Sequence, residues 1–247
     1  MNTVKFDKGN AEVIAHRGLS GIETENTNSA FVAAGNRSYF GIETDIQVTA
    51  DEKFVVIHDE TTKRVSNVTI NVEETTYEKV RAVKLNNICR YDLGGVCKND
   101  ARGDIIIPNL EEYVGICRKY EKKCVLELKN RFEKKHIKKL VDELKSLDYI
   151  ENIIFISFSF ENMTDLRELL PEAKLQYLVS DYNKKVLERL NRYSLDLDIE
   201  YTELTEKVIE EVHKNGHLIN CWTVDNKEDA ERLALWGVDY ITTNILE

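Results

Sequence analysis

Proline is scarce, with only Pro108 and Pro171 in 247 residues, so no proline-rich linker divides the chain. The five cysteines (Cys89, Cys97, Cys117, Cys124 and Cys221) are odd in number and include no Cys-x-x-Cys pair. That argues against a disulfide framework and a zinc cage, and predicts free thiols at a cytoplasmic address. No apolar run approaches the ~18–20 residues of a membrane span, and the polar Met1–Asn10 stretch lacks a secretory h-region. Positive charge is the minority sign: 34 Lys and Arg stand against 44 Asp and Glu, a formal net charge of −10. Such a surface disfavours nucleic-acid backbones, yet a local basic cluster can still hold a small anion. Internal repeats and low-complexity tracts are also missing.

What is present is a hydrophobic fraction of 42% with 9% aromatics, which can fill a core and excludes a disordered chain. Short β-branched runs fall at Val13–Ala15, Gly41–Val48, Cys124–Lys129, Ile153–Phe158, Leu175–Ser180, Ser194–Glu200, Leu218–Val224 and Asp239–Thr243. Between them, helical patterns cover Asn28–Arg37, Leu110–Lys122, Lys134–Leu147, Glu161–Leu170, Asn183–Arg192, Glu203–Asn215 and Lys227–Trp236. This alternation predicts parallel strands with helical crossovers. Eight such strands suit a closed (β/α)8 TIM barrel better than an open sheet, as one domain over residues 1–247.

A ninth run, Phe54–His58, follows the second strand after a short turn at Ala50–Lys53. A parallel neighbour needs a crossover of about a dozen residues, so this run must return antiparallel. Residues Asp59–Ile106 then break the rhythm. They read as an insertion over the C-terminal mouth, with a helical piece near Tyr77–Leu85 and a loop holding Gly94, Gly95 and Gly103. The helix after the eighth strand reads as truncated, since the sequence stops at Glu247.

Residues two apart on a strand share a face, which pairs Glu43 with Asp45 and Glu127 with Lys129. On adjacent strands ~4.8 Å apart, three carboxylates and a lysine would share one small volume. Acids pointing into a barrel are costly unless paired or metal-bound. All-oxygen ligation favours a hard divalent cation, Mg²⁺ or Ca²⁺; a solvated edge or pairing with Arg and Lys is the alternative. His16 and His58 bracket the second strand, and two histidines of ordinary pKa ~6.5 can divide proton removal and donation. His136, His213 and His217 fall on predicted helices or loops and are expected at the surface. Three carboxylates, a divalent ion, Arg17 and Lys129 sum to about +1, which suits a phosphodiester of charge −1.

The ordered series Ile14-Ala15-His16-Arg17-Gly18, Glu25-Asn26-Thr27, Ala30-Phe31, Glu43-Thr44-Asp45 and Val56-Ile57-His58-Asp59 has a distinctive look. It continues with Ile107-Pro108-Asn109-Leu110-Glu111-Glu112, Leu126-Glu127-Leu128-Lys129 and Cys221-Trp222-Thr223-Val224. Together these motifs resemble the glycerophosphodiester phosphodiesterase family from roughly Val13 to Thr243. The resemblance implies a TIM barrel that uses a divalent metal to hydrolyse glycerophosphodiesters to glycerol 3-phosphate and an alcohol. It implies metal ligation by Glu43, Asp45 and Glu127, acid–base roles for His16 and His58, and phosphate contacts from Arg17 and Lys129. Trp222 would line the glycerol side of the pocket, its alternative being a core tryptophan at a strand end.

Two positions depart from the pattern. Thr24 replaces a frequent proline, which is expected to loosen its turn, and Asn244 replaces a common aspartate, which is expected to alter a rim contact or a bond that supports the site, without removing a direct metal ligand. Competing readings are a related barrel phosphodiesterase for lysophospholipid or phosphoinositide-type substrates, and a non-catalytic ligand-binding barrel. The alcohol leaves and needs few recognising residues, so choline, ethanolamine, glycerol and inositol stay equivalent, and nothing in the sequence sets an oligomeric state.

Overall fold

Strands covered by helices on one face and packed into a barrel on the other are buried at nearly every position. The computed structural model, which describes residues 2–86 and 101–247, shows this pattern. The first half of the chain forms β1 (Glu12–Ala15), α1 (Asn28–Gly35), β2 (Gly41–Val48), β3 (Phe54–Val56), α2 (Tyr77–Arg81), β4 (Lys84–Asn86) and β5 (Ala101–Ile106). There follow α3 (Leu110–Lys119), β6 (Lys123–Leu128), α4 (Lys134–Ser146), β7 (Ile153–Ser157), α5 (Phe160–Leu169) and β8 (Lys174–Val179). The chain continues through α6 (Lys184–Tyr193), β9 (Asp196–Glu200), α7 (Glu206–Lys214), β10 (Ile219–Trp222), α8 (Lys227–Trp236) and β11 (Tyr240–Thr243).

Strands β1, β2, β6, β7, β8, β9, β10 and β11 form the closed parallel barrel, with β1 bonded to both β2 and β11 to complete the ring. Crossover helices lie between successive barrel strands, as the alternation predicts. Inside the ring, Ile14, Val125, Ile154, Ile156, Leu178 and Tyr240 make a compact apolar plug. A larger core fills the space between strands and helices.

The ninth strand runs antiparallel, β3 pairing with the last residues of β2 from Ile46↔Val56 to Val48↔Phe54. Its faces alternate. Phe54 and Val56 join the main core, while Val55 and Ile57 join a separate cluster with Val65, Val72, Val80, Val83, Leu85, Ile105 and Ile107. The described part of the insertion therefore has its own small core, anchored through one strand. The expected Gly94–Gly95 loop, with Cys89 and Cys97, lies outside the described residues.

Three expected boundaries shift for local reasons. The helix expected over Tyr77–Leu85 stops at Arg81, and Lys84–Asn86 becomes β4, antiparallel to β5. Val83 and Leu85 are buried around exposed Lys84, a spacing of two that suits a strand. β9 starts at Asp196 because Ser194 takes a left-handed conformation (φ 51°) to end α6. Helix α7 starts at Glu206, where the Thr205 hydroxyl accepts from the Val208 N–H.

Candidate active site

The register of β2 against β6 sets Asp45 opposite Glu127, and Glu43 lies two residues earlier on the same face as Asp45. All three are buried, and one carboxylate oxygen from each lies within 4.8 Å of the others. Two cations from other elements reach this cluster. Lys129, just past β6, donates from Nζ to Glu127 Oε1 at 2.7 Å and stands 3.5 Å from Asp45 Oδ1. Arg17, just past β1, sets Nε 3.4 Å from Asp45 Oδ2.

The chain turns sharply to place Arg17. Its backbone is left-handed (φ 55°), which aims its N–H at Glu43 Oε2, 2.7 Å away. Gly18 follows at φ 73°, where a Cβ would stand 2.7 Å from the backbone carbon of Ala30 in α1. No side chain fits there. Gly18→Ala should cost about 2–4 kcal/mol, from backbone strain and overpacking together. Thermal unfolding should show a fall in Tm on the order of 10 °C; an unchanged midpoint would mean that this turn yields freely.

Burial pushes Glu43 well above the usual carboxylate range, with Asp45 and Glu127 adding to the rise. Burial and Asp45 push Glu127 up to about 8 despite Lys129. Burial acts on Asp45 in the same direction, but Arg17 and Lys129 outweigh it and hold that carboxyl below its usual range. The carboxylates are thus unevenly served. Asn26 Nδ2 donates to Asp45 Oδ2 at 2.7 Å, whereas Glu43 Oε1 is buried without a hydrogen-bond partner. A buried carboxylate oxygen lacking a donor is costly, and a hard divalent cation would satisfy it. The three residues therefore fit such an ion.

The histidines flank the cluster. His58 lies beyond the end of β3, with Nδ1 2.6 Å from Asp59 Oδ1, and burial holds its pKa below the ordinary value. A carboxylate can only accept, so in the neutral ring Nδ1 carries the proton and Nε2 the lone pair. His16 lies beyond the end of β1, with Nδ1 2.8 Å from Asn244 Oδ1. Behind His58 sits an ion-pair network. Buried Glu25 accepts from Arg17 at 2.8 Å and takes two further bonds from Arg64, at 2.8 Å each, while Arg64 Nε also holds Asp59 Oδ2 at 2.6 Å.

A cavity of about 150 Å³ opens on the cluster, lined in part by His16, Arg17, Glu43, Glu127, Asp198 and Trp222. Trp222, half-buried at the end of β10, meets exposed Phe158 edge-on at 5.7 Å. It is a wall of this cavity as well as a contact of the interior plug. Asp198 was not expected here: buried on β9, it is pushed well above the carboxylate range by burial and by Glu127. Glu25, Asp59 and Asn244 stand in or beside the recognisable motifs, but Arg64, which ties Glu25 to Asp59, carries no local signal.

His213 is exposed on Asp239 at 2.8 Å, and His136 lies 3.5 Å from Glu52, both remote from the cluster. His217 departs from its expected surface role: it is buried against Asn191, 2.7 Å away, because the turn after α7 tucks it inward. Thr24 gives its turn an added tie, its buried hydroxyl donating to the Asn86 carbonyl of β4 at 3.3 Å. Cys117, Cys124 and Cys221 are buried free thiols.

A sequence model described as the glycerophosphoryl diester phosphodiesterase family matches residues 16–247. A glycerophosphodiester phosphodiesterase of Caldanaerobacter subterraneus is 32% identical over 240 residues, covering 94% of this chain and 93% of its own. One from Bacillus altitudinis is 26% identical, with 94% of each chain covered. The solved structure of an Oleispira antarctica phosphodiesterase in complex with the product sn-glycerol-3-phosphate has the same fold. Its TM-score is 0.83 at 24% identity, over 94% of this chain and 92% of that one. With a barrel of this form and a family match from His16 to the last residue, the chain belongs to the glycerophosphoryl diester phosphodiesterase family.

Proposed function

We propose that the protein, acting as one domain over residues 1–247, hydrolyses glycerophosphodiesters to sn-glycerol 3-phosphate and an alcohol with a divalent metal. The observation that carries this reading is the buried convergence of Glu43, Asp45 and Glu127 beside two cations and two histidines. Glu43, Asp45 and Glu127 would hold Mg²⁺ or Ca²⁺, which when bound supplies Lewis-acid polarisation of a phosphoryl oxygen.

Everything else is done by the chain's own groups. Arg17 and Lys129 neutralise the phosphate and the charge that grows on it. The substrate's glycerol 2-hydroxyl attacks phosphorus, forming a cyclic phosphate as the bond to the departing alcohol breaks. One imidazole takes the hydroxyl proton at Nε2, and the other, protonated, gives a proton to the alcohol oxygen. Water then opens the ring with the proton roles reversed. Trp222 packs on the glycerol carbons.

The cavity is smaller than the ~300–1,000 Å³ of drug-sized sites, so it suits the glycerophosphate half and leaves the alcohol outside. No helix among the described residues is long and apolar enough to cross a membrane. A reducing compartment, the cytoplasm, suits the buried thiols of Cys117, Cys124 and Cys221.

Chelation is the direct test. After verified metal removal, glycerol 3-phosphate release from a panel of glycerophosphodiesters should vanish and return with Mg²⁺, Ca²⁺ or Mn²⁺. Glu43→Gln and Asp45→Asn should each need more metal, since amide oxygens carry no formal charge. Full turnover in excess chelator would sink the metal site. Turnover only of lysophospholipids or phosphoinositides, assayed beside that panel, would replace the substrate class.

A further inference from the structure

The residues that hold His16 come from the far end of the chain. Its backbone N–H donates to the Thr243 carbonyl at 2.8 Å, and its ring meets the Asn244 side chain. Asn244 is in turn fixed by Asp225. Its Nδ2 donates to Asp225 Oδ2 at 2.6 Å, and its backbone N–H donates to Asp225 Oδ1 at 2.8 Å. The Thr243 hydroxyl adds a third bond to that carboxylate at 3.1 Å. Three donors from one strand end therefore anchor a single carboxylate.

This anchoring decides which way the Asn244 amide faces. Turned over, it would set its oxygen against the Asp225 carboxylate, two acceptors at hydrogen-bond distance with no proton between them. As oriented, Oδ1 faces His16 Nδ1 at 2.8 Å, with the Ser20 hydroxyl 2.7 Å from the same oxygen. An amide oxygen only accepts, so the proton of the neutral ring must sit on Nδ1.

We infer that Asp225 and Asn244 are positioning residues that act in series to hold His16 as its Nδ1–H tautomer, with Nε2 as the basic nitrogen. The reading rests on the acid–base role proposed for His16, and it adds the device that makes one nitrogen the reactive one. The amide transmits orientation while keeping the negative charge one side chain away from the imidazole. His58 obtains the same tautomer differently, through direct contact with the Asp59 carboxylate.

Nitrogen-15 NMR of histidine-labelled protein tests this without substrate, the His16 resonances being assigned by their loss in His16→Gln. Wild-type protein should show a protonated Nδ1 and an unprotonated Nε2 in the neutral ring. Asp225→Asn should yield mixed tautomers and lower kcat by at least ~10-fold with little change in KM, a milder form of the loss seen when a catalytic histidine takes the wrong tautomer. Asn244→Asp alone would press two carboxylates together and should also lose activity. The double exchange Asn244→Asp/Asp225→Asn restores one acid and one amide in reversed order, and should recover both the Nδ1–H signature and most of kcat.

An Nε2–H tautomer in the wild-type protein overturns the inference whether or not any variant folds. So does an Asp225→Asn protein that keeps Nδ1–H. Because the tautomer is read without substrate, a wild-type protein inactive on every glycerophosphodiester would defeat the proposed function and leave this test intact.

Discussion

His16→Ala and His58→Ala are each expected to lower kcat by roughly 10²–10⁴, the contribution of one general acid or base. Each ring is held at Nδ1 by an acceptor, Asn244 or Asp59, so each offers Nε2 for proton exchange. Neither ring is in the three-carboxylate cluster, so the metal content of both variants should match that of the wild type. Their unfolding midpoints should also stay close to it, because both side chains are only half-buried. Steady-state kinetics with metal analysis on the same samples checks the pair. Near-normal turnover in either variant would remove that residue from the mechanism, and a loss that tracks missing metal would reassign it as structural.

Lys129→Met is expected to cut kcat/KM by at least ~10²-fold, the scale of removing one charge-stabilising donor from a reacting phosphate. Methionine keeps much of the apolar stem and deletes the ammonium. In the wild-type protein that ammonium bonds Glu127 at 2.7 Å and stands 3.5 Å from Asp45, so it partly offsets the acids that would take the metal. Its removal should therefore tighten metal binding, because a positive charge that repels the cation has gone. The metal-free variant should also unfold at lower temperature, its acid cluster having lost one of its two compensating cations, and metal should restore the midpoint. Titration calorimetry and a steady-state assay on one preparation read both halves. Collapsed metal affinity with intact turnover at saturating metal would mean that Lys129 holds Glu127 in place and never meets phosphate.

Much of this arrangement is legible in the sequence, because its signals are local. Alternating runs announce strands, and a turn as short as Ala50–Lys53 leaves the next strand no option but to return antiparallel, as β3 does. Spacings of two put Glu43 with Asp45 and Glu127 with Lys129, and the barrel register brings the pairs together. What could not be read depends on distant partners. Arg64 is one charged residue among many in a polar insertion until the fold lays it across Glu25 and Asp59. Asp198 looks like any acid on a strand until the ring closes and buries it beside Glu127. Leu85 misled because a short apolar spacing after a helical turn suits either a longer helix or a strand, and only pairing with β5 selects the strand.

The barrel has no free edge, and that closure imposes an order in time. His16 is made early, but the amide that meets its Nδ1 lies 228 residues later in the chain. A nascent chain can lay down β1 and β2 and bring Glu43 near Arg17 while most of the ring is still missing. It cannot bond β1 to β11 until the final strand arrives, and such long-range parallel pairing is slow to form. Until that seam zips, the His16 ring has no Asn244 oxygen to choose its tautomer. Closure of the ring and the contact that orients the first histidine therefore both wait on the same distant strand.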